Sequence, residues 1–426
     1  MFKKIIQYLL KIIASAVVKK YQPEIIGITG SVGKTSTKEA IRTVLGEKFS
    51  VRANIKNYNN EIGVPLSVIG AESPGKSFPG WLEVFLKSIN LLLFKDSNYP
   101  KILILEMGAD KIGDIEYLVS FLPLKIAIIT TVSETHLEQF GTIEKIAREK
   151  RLMVSRLTKD NAAILNFDDE RVNLMQEKTK ARVITYGFKD GADILSSDEK
   201  VSLLENGEIQ GISFKVSHQG NIVPMLLPDV LGRHQIYAAL AAVAVGVFYE
   251  LNLLDIAESL KKYQSPKGRM KIIKGIKETL IIDDTYNSSP KAAIAAVETL
   301  GEVRSGRKKI AVLADMLELG NFTQEGHFGV GKAVAENKLD ILITVGALAK
   351  KIAQSAIEAG MKDNQIFSFD NTDSAGKFLQ EEIKTGDIIL IKGSQGMRME
   401  KVVKELMAEP LRARELLVRQ GAKWQG

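Results

Sequence analysis

The sequence predicts an α/β protein: a central domain with a phosphate-binding loop (P-loop) on a mostly parallel sheet, then a C-terminal Rossmann-like α/β domain. Three observations carry this. Residues 25–39 read IIGITGSVGKTSTKE: a short apolar run, a glycine turn and a helical pattern. Short apolar strands then alternate with helical stretches along most of the chain, the pattern of βα units. The alternation starts afresh beyond Ser265-Pro266-Lys267-Gly268, so a second parallel sheet is expected there. The expected division is a basic helix over 1–22, a central nucleotide-binding domain over 23–267 and a C-terminal domain over 268–426.

Strand, glycine turn and helix are the context a phosphate-binding loop needs. Glycines let backbone N–H groups close around phosphate oxygens, and the helix N-terminus adds positive potential. Lys34 is placed to reach a nucleotide's β- and γ-phosphates, and the Thr35 hydroxyl suits Mg²⁺. The spacing departs from the usual Walker pattern, because Ile28 stands where the first glycine is expected. What remains is a shortened Gly30-x-x-Gly33-Lys34-Thr35.

The chain has 426 residues, enough for two or three domains, with 45% apolar and 26% charged residues, ordinary for a soluble enzyme. It has no cysteine, which excludes disulfides, thiolate catalysis and Cys-ligated metals and fits a reducing cytosol. With only His136, His218, His234 and His327, a multi-His zinc site is not expected; Mg²⁺ on oxygen ligands is. The net charge is +7, and Lys3, Lys4, Lys11, Lys19 and Lys20 supply five of those charges with no acid among them. The excess is local, so no nucleic-acid partner is expected.

In chain order, residues 2–18 put Phe2, Ile5, Ile6, Leu9, Ile13, Ala16 and Val17 on one face of a basic amphipathic helix. Lys11 interrupts it, which argues against a span. A helix on an anionic membrane surface and a helix docked on the protein's own core or a partner both remain open. Asn57, Asn59 and Asn60 read as a loop. Residues 81–94 read as a strongly apolar helix, either packed into the core or touching a membrane beside the first. Residues 101–109 form an apolar strand ending in Glu106, a carboxylate at the edge where open α/β sheets hold ligands, suited to Mg²⁺. Residues 125–131 repeat this pattern and hand over to a loop carrying His136. A helix over 143–157 carries Lys150. Another strand ends in Asn166, Asp168 and Asp169, and Gly232-Arg233-His234 opens an Ala-rich helix. In the second domain the strand ends carry Asp283-Asp284, Asp315 and Lys392-Gly393-Ser394.

Ten stretches in order between residues 25 and 404 resemble the Mur ligase family of ATP-dependent amide-forming enzymes: TGSVGKTSTKE, NNEIGVPLS, LEMGA, HLEQFGTIEKIAREK, LNFDD, GRHQIYAALAA, GRM, DDTYNSSP, VLADMLELG and KGSQGMRME. The shortened loop is the family's own form. The resemblance implies that Thr29, Gly30, Ser31, Val32, Gly33, Lys34, Thr35 and Ser36 hold ATP phosphates. It implies that Asn60 lies near the γ-phosphate with Asn59 beside it toward the substrate, and that Thr35, Glu106, His136 and Lys150 form the Mg²⁺ site. Lys150 corresponds to a lysine that becomes carbamylated; Lys34, Glu106, His136 and Lys150 are the implied catalytic set. Asn287 resembles the adenine contact, Arg269 a nucleotide-side contact and Asp315 the ribose contact, while His327, Lys392 and Ser394 lie in segments near the incoming amine. The motifs lean towards the branch that joins D-alanyl-D-alanine to a UDP-N-acetylmuramoyl peptide through an acyl phosphate, with closure about a hinge near Gly268.

One departure concerns the acceptor. That branch carries an N-terminal domain for the UDP group, and what precedes Ile25 is too short to form one. Ligation is therefore expected, in the cytoplasm or at the inner face of the membrane, with other acceptors left open: a lipid-linked precursor, or substrates like those of folylpolyglutamate synthase or cyanophycin synthetase. A membrane-associated nucleotide-binding subunit without ligase activity is the alternative of another class.

Overall fold

In the computed structural model, which describes residues 2–55, 58–133, 137–204, 208–303, 307–421 and 424, strands and helices mix along the chain from residue 24 onward. The chain clusters into two units. The first holds residues 1–199, 214–226 and 236–263; the second holds 200–213, 227–235 and 264–426.

The first unit is built on β1 (Glu24–Thr29), β2 (Val51–Ala53), β3 (Ile102–Glu106), β4 (Leu124–Ile129), β5 (Ala162–Asn166) and β6 (Arg182–Gly187). Three longer strands, β7 (Ile194–Leu203), β8 (Ile209–His218) and β9 (Asn221–Pro228), extend the sheet, whose order is β2-β3-β1-β4-β5-β6-β7-β8-β9. From β2 to β7 all neighbours are parallel. β1 and β3 to β5 are buried almost throughout, which is why they read as unbroken apolar runs. The chain leaves β1 for β2 and β3 on one side and then crosses to β4 on the other. Strand order thus reverses at β1, and the crevice at the strands' C-terminal ends opens there.

The helices of this unit are α1 (Phe2–Tyr21), α2 (Lys34–Gly46), α3 (Gly63–Ile69), α4 (Phe78–Leu93), α5 (Asp114–Val119), α6 (Leu137–Phe140), α7 (Ile143–Ser155), α8 (Glu170–Asn173), α9 (Arg233–Phe248) and α10 (Leu253–Leu260). α1 is docked on the core. Its buried row is Ile6, Leu10, Ala14, Val17 and Val18, joined to a cluster with Val64, Trp81, Leu103 and Leu105. This corrects the face expected from periodicity: Ile6 and Val17 are inside, but Ile5 and Leu9 are exposed. The helix is apolar on two sides, and spacing alone does not say which side finds the core. Each large aliphatic side chain so buried contributes about 1.5–3 kcal/mol. α4 behaves likewise, with Trp81, Val84 and Leu91 buried and an apolar opposite face exposed. Lys20 and Tyr21 tie the two helices: Lys20 Nζ donates to the carbonyls of Leu91 (2.8 Å), Leu92 (3.1 Å) and Phe94 (2.6 Å), and Tyr21 OH to Leu91 O (3.0 Å). A cation on the open carbonyls of a helix C-terminus is favourable by charge as well as by hydrogen bonding.

The second unit is built on β10 (Lys271–Lys274), β11 (Leu280–Asp284), β12 (Lys309–Ala314), β13 (Ile341–Val345), β14 (Ile366–Phe369) and β15 (Ile388–Lys392), in the order β10-β11-β15-β12-β13-β14. β10 is antiparallel to β11, and the rest are parallel. α11 (Pro290–Glu302), α12 (Thr323–Glu336) and α13 (Lys350–Glu358) bury one face of this sheet, and a separate core fills the other.

Candidate functional site

In the first unit the C-terminal ends of β1, β3 and β4 carry the chemistry. Gly30 follows β1 with φ +148°, and a Cβ there would stand 1.8 Å from Thr130 Oγ1, so only glycine lets the loop lie against the end of β4. Ser31 N–H donates to Thr131 O (2.8 Å), Val32 N–H to Thr131 Oγ1 (3.2 Å), and Thr130 Oγ1 donates to Val32 O. Ser31 Oγ donates to Ser133 O (3.2 Å) and accepts from Ser133 N–H (3.0 Å). These fastenings, contributed by Thr130, Thr131 and Ser133, had no signature in the sequence. α2 starts at Lys34 directly after Gly33, which offers no side-chain cap, and the helix N-terminus adds positive potential toward an anion. Lys34 Nζ folds back over the loop onto Gly30 O (2.7 Å) and Ser31 O (3.3 Å).

Glu106, buried at the end of β3, receives Thr35 Oγ1 on Oε2 (2.9 Å) and Asn59 Nδ2 on Oε1 (3.1 Å). Asn54 grips its backbone twice, donating to Glu106 O (3.0 Å) and accepting from Glu106 N–H (2.9 Å). Asn54 is itself held by the buried Lys38, whose Nζ donates to Asn54 O (2.6 Å). Lys38 and Asn54 are positioning residues that sequence reasoning missed; Lys38 lies in the helix after the loop and reads there as a surface lysine. Asn60 accepts from the N–H groups of Ile62 (3.2 Å) and Gly63 (2.9 Å), so its carboxamide oxygen starts α3. His136 and Asn57 lie outside the described residues.

Lys150 is buried on α7. Burial first, and then the positive charge of Lys34, lower its pKa to about 7, with Glu149 and Asp110 opposing. Burial thus favours the neutral amine over the ammonium. Glu149 beside it caps α5, accepting from the N–H groups of Gly113 (3.0 Å) and Ile115 (2.8 Å). Among the described residues no three His, Asp or Glu side chains gather as a metal cluster. Thr35 and Glu106 nevertheless offer adjacent hard oxygen donors, the type Mg²⁺ takes.

In the second unit the strand ends again carry the predicted residues. Asp284, at the end of β11, pairs with buried Lys392 at the end of β15 (2.6 Å), and Lys392 also donates to Asn287 O (2.9 Å). Asn287 Oδ1 accepts from Gln395 N–H (3.4 Å). Asp315 accepts from Ala349 N–H (2.7 Å), and burial raises its pKa while the N–H groups of residues 347–349 oppose that. A Cβ at Gly346 would fall 2.5 Å from Asp315 Oδ1. His327 is fully buried: Nε2 accepts from Met316 N–H (3.0 Å), which leaves Nδ1 to donate to Thr323 O (2.6 Å), and burial lowers its pKa. Ser394 Oγ accepts from Leu317 N–H (2.9 Å).

Arg269 stacks over the Tyr286 ring (4.2 Å to the centroid). Arg419 binds the carbonyls of Thr285 (3.0 Å) and Tyr286 and pairs with Glu400 (2.9 Å), which also receives Arg398 Nε (2.6 Å). This cluster holds the DDTYN turn from residues more than a hundred positions away, so no local motif announced it.

Comparison with known proteins follows the same division. Residues 28–77 and 86–246 match the Mur ligase middle domain, and residues 268–395 match the Mur ligase, glutamate ligase domain. α1 and residues 78–85, the first half of α4, lie outside both matches. The UDP-N-acetylmuramoyl-tripeptide–D-alanyl-D-alanine ligase of Bacillus subtilis is 30% identical over 399 residues, covering 94% of this chain and 79% of that protein. The MurF ligase of Thermotoga maritima, solved in complex with ADP, superimposes with a TM-score of 0.77 at 26% identity, covering 96% of this chain and 84% of that one. A MurF structure from Acinetobacter baumannii gives 0.76 at 25% identity, covering 93% and 79%.

Proposed function

The chain belongs to the Mur ligase family, and on that premise we propose that it is an ATP-dependent, ADP-forming ligase that adds D-alanyl-D-alanine to a UDP-N-acetylmuramoyl tripeptide in peptidoglycan precursor synthesis. The observation that carries the reading is the Thr35–Glu106 contact, which joins the phosphate loop to the end of β3, with Lys34 of the same loop close enough to Lys150 on α7 to lower its pKa. We assign residues 23–267 to the ATP-binding domain and 268–426 to the C-terminal ligase domain.

The backbone N–H groups of the loop and the first turn of α2 bind the phosphates, with Lys34 swinging from its own loop carbonyls onto the β- and γ-oxygens. The backbone donors are fixed before the reaction, so they offset the charge of the transferring phosphoryl group with little reorganisation. The acceptor's carboxylate takes that group to become an acyl phosphate. The amine of the dipeptide attacks its carbonyl carbon, and phosphate leaves as the amide forms. Thr35 and Glu106 would hold Mg²⁺, with His136 and Lys150 completing the set once the Lys150 amine has been converted to a carbamate. The ion supplies charge neutralisation on the phosphates. Asn59 orients Glu106 at the substrate side. Arg269 with Tyr286, Asn287 and Asp315 serve the nucleoside, and His327, Lys392 and Ser394 shape the loops that face the dipeptide.

No helix among the described residues is long and apolar enough to cross a membrane. We place the enzyme in the cytoplasm, at the inner face of the membrane, with residues 1–20 making the contact.

The test is phosphate release from ATP with UDP-N-acetylmuramoyl tripeptide, with and without D-alanyl-D-alanine, and the product mass. Release that needs both substrates and yields the pentapeptide product supports the reading. Release only with another acceptor or another amine moves the chain to a different branch of the family, and ATP binding without any product overturns ligation.

A further inference from the structure

We infer that α1 and α4 together form a two-helix platform that seats the first unit on an anionic lipid bilayer, an inference that rests on the peripheral placement proposed above and adds a second helix to it. The outer face of α4 is a single stripe: Phe78, Leu82, Leu86, Ile89 and Leu93 recur at three- and four-residue spacing, and each is between 51% and 72% exposed. Five large apolar side chains in one row are more than the scattered exposure of an ordinary surface. The outer face of α1 adds Ile5, Tyr8, Leu9 and Ile12, all exposed although the helix's opposite face is docked.

The charge points to the occupant. α1 carries five lysines and no acid, and Lys4 and Lys19, both exposed, lie on its outer side. An apolar face beside a cluster of lysines is what an interfacial helix presents to anionic headgroups, and Tyr8 is of the amphipathic aromatic type that settles there. The two helices are latched by Lys20 and Tyr21, so they move as one body. The stripe also begins in residues outside the family match, as does all of α1.

The experiment is vesicle co-sedimentation of the full chain, with phosphatidylcholine alone and with phosphatidylcholine and phosphatidylglycerol in equal parts. Two double variants are compared, Leu82→Glu/Leu86→Glu on α4 and Lys4→Glu/Lys19→Glu on α1. All four side chains are exposed and outside the catalytic machinery, so folding and turnover in solution are expected to stay at the wild-type level. The expected result is binding to the anionic vesicles that falls roughly tenfold in either variant and on raising the salt. Loss in the α1 variant with full binding in the α4 variant overturns the platform and leaves the single-helix placement standing. No wild-type binding to either vesicle overturns both, without touching ligation, which phosphate release measures separately. Self-association of the wild type that the α4 variant dissolves, with no vesicle binding, makes the face an interface between copies and also overturns the platform.

Discussion

At the C-terminal edge of the first sheet, Glu106 is met by two neutral donors, Thr35 and Asn59, and its backbone is locked by Asn54. At the same edge of the second sheet, Asp284 is clamped by a lysine, Asp315 by backbone N–H groups, and His327 by bonds at both ring nitrogens. The two edges look alike in sequence, each a run of apolar strands ending in polar residues. They differ in what those residues face. In the first unit the chemical groups are aimed and held by partners a ligand can displace at little cost. In the second, Asp284, Asp315 and His327 are already held by partners within the unit.

Four substitutions break or sharpen this contrast. Lys34→Ala has the largest expected effect: turnover is expected to fall by about three orders of magnitude if Lys34 supplies the cation proposed for the transferring group. Circular dichroism is expected to be unchanged; wild-type phosphate release would sink the loop assignment. Lys392→Met addresses the second unit's clamp. It leaves Asp284 buried without its cation and is expected to lower stability by about 3–5 kcal/mol in denaturant titration, as for other broken buried pairs. A loss of turnover with stability intact would instead make Lys392 a substrate contact and erase the contrast.

His234, which opens α9, sharpens the comparison through pH. Burial lowers its pKa to about 4, with Asp284 opposing. The folded state thus binds fewer protons than the unfolded state between pH 4 and about 6.5, so its contribution to stability is full above about 6.5 and is lost as pH falls towards 4. Asp283 acts in the opposite sense: burial raises its pKa to about 6, so its folded form is favoured at low pH and disfavoured as pH rises through 6. His234→Gln is expected to remove about 3 kcal/mol of acid sensitivity from that window, read as denaturation midpoints across pH. An unchanged pH profile would mean the ring is hydrated. The smallest effect is that of Ser394→Ala, which frees Leu317 N–H and costs about 1 kcal/mol with little change in turnover.

Much of this was legible in the sequence. Buried parallel strands are apolar on both faces, so β1, β3, β4, β12, β13 and β15 could be read directly, and Glu106, Asp284, Asp315 and Lys392 were placed by the strands they end or follow; Lys150, Asn60, Arg269 and His327 came from the family resemblance. Local geometry also announced the loop, since a glycine turn between strand and helix has few other uses. What was not legible depends on distance along the chain. The burial of Lys150 and Lys38, the grip of Asn54 on Glu106 and the Arg398–Glu400–Arg419 cluster all come from segments that meet only in the fold. The orientation of α1 failed for another reason: a helix apolar on two sides gives the same period whichever side is buried.

The join between α1 and β1 has a consequence for direction. Only Gln22 and Pro23 separate Tyr21 from Glu24, and Gln22 is held at φ +48° while its N–H bonds back to Val18 O (2.8 Å). There is no slack between the first helix and the strand that ends in the phosphate loop. Whatever surface grips α1 therefore acts as a compass rather than a tether: it sets the heading of β1, and with it the direction from which a nucleotide must arrive.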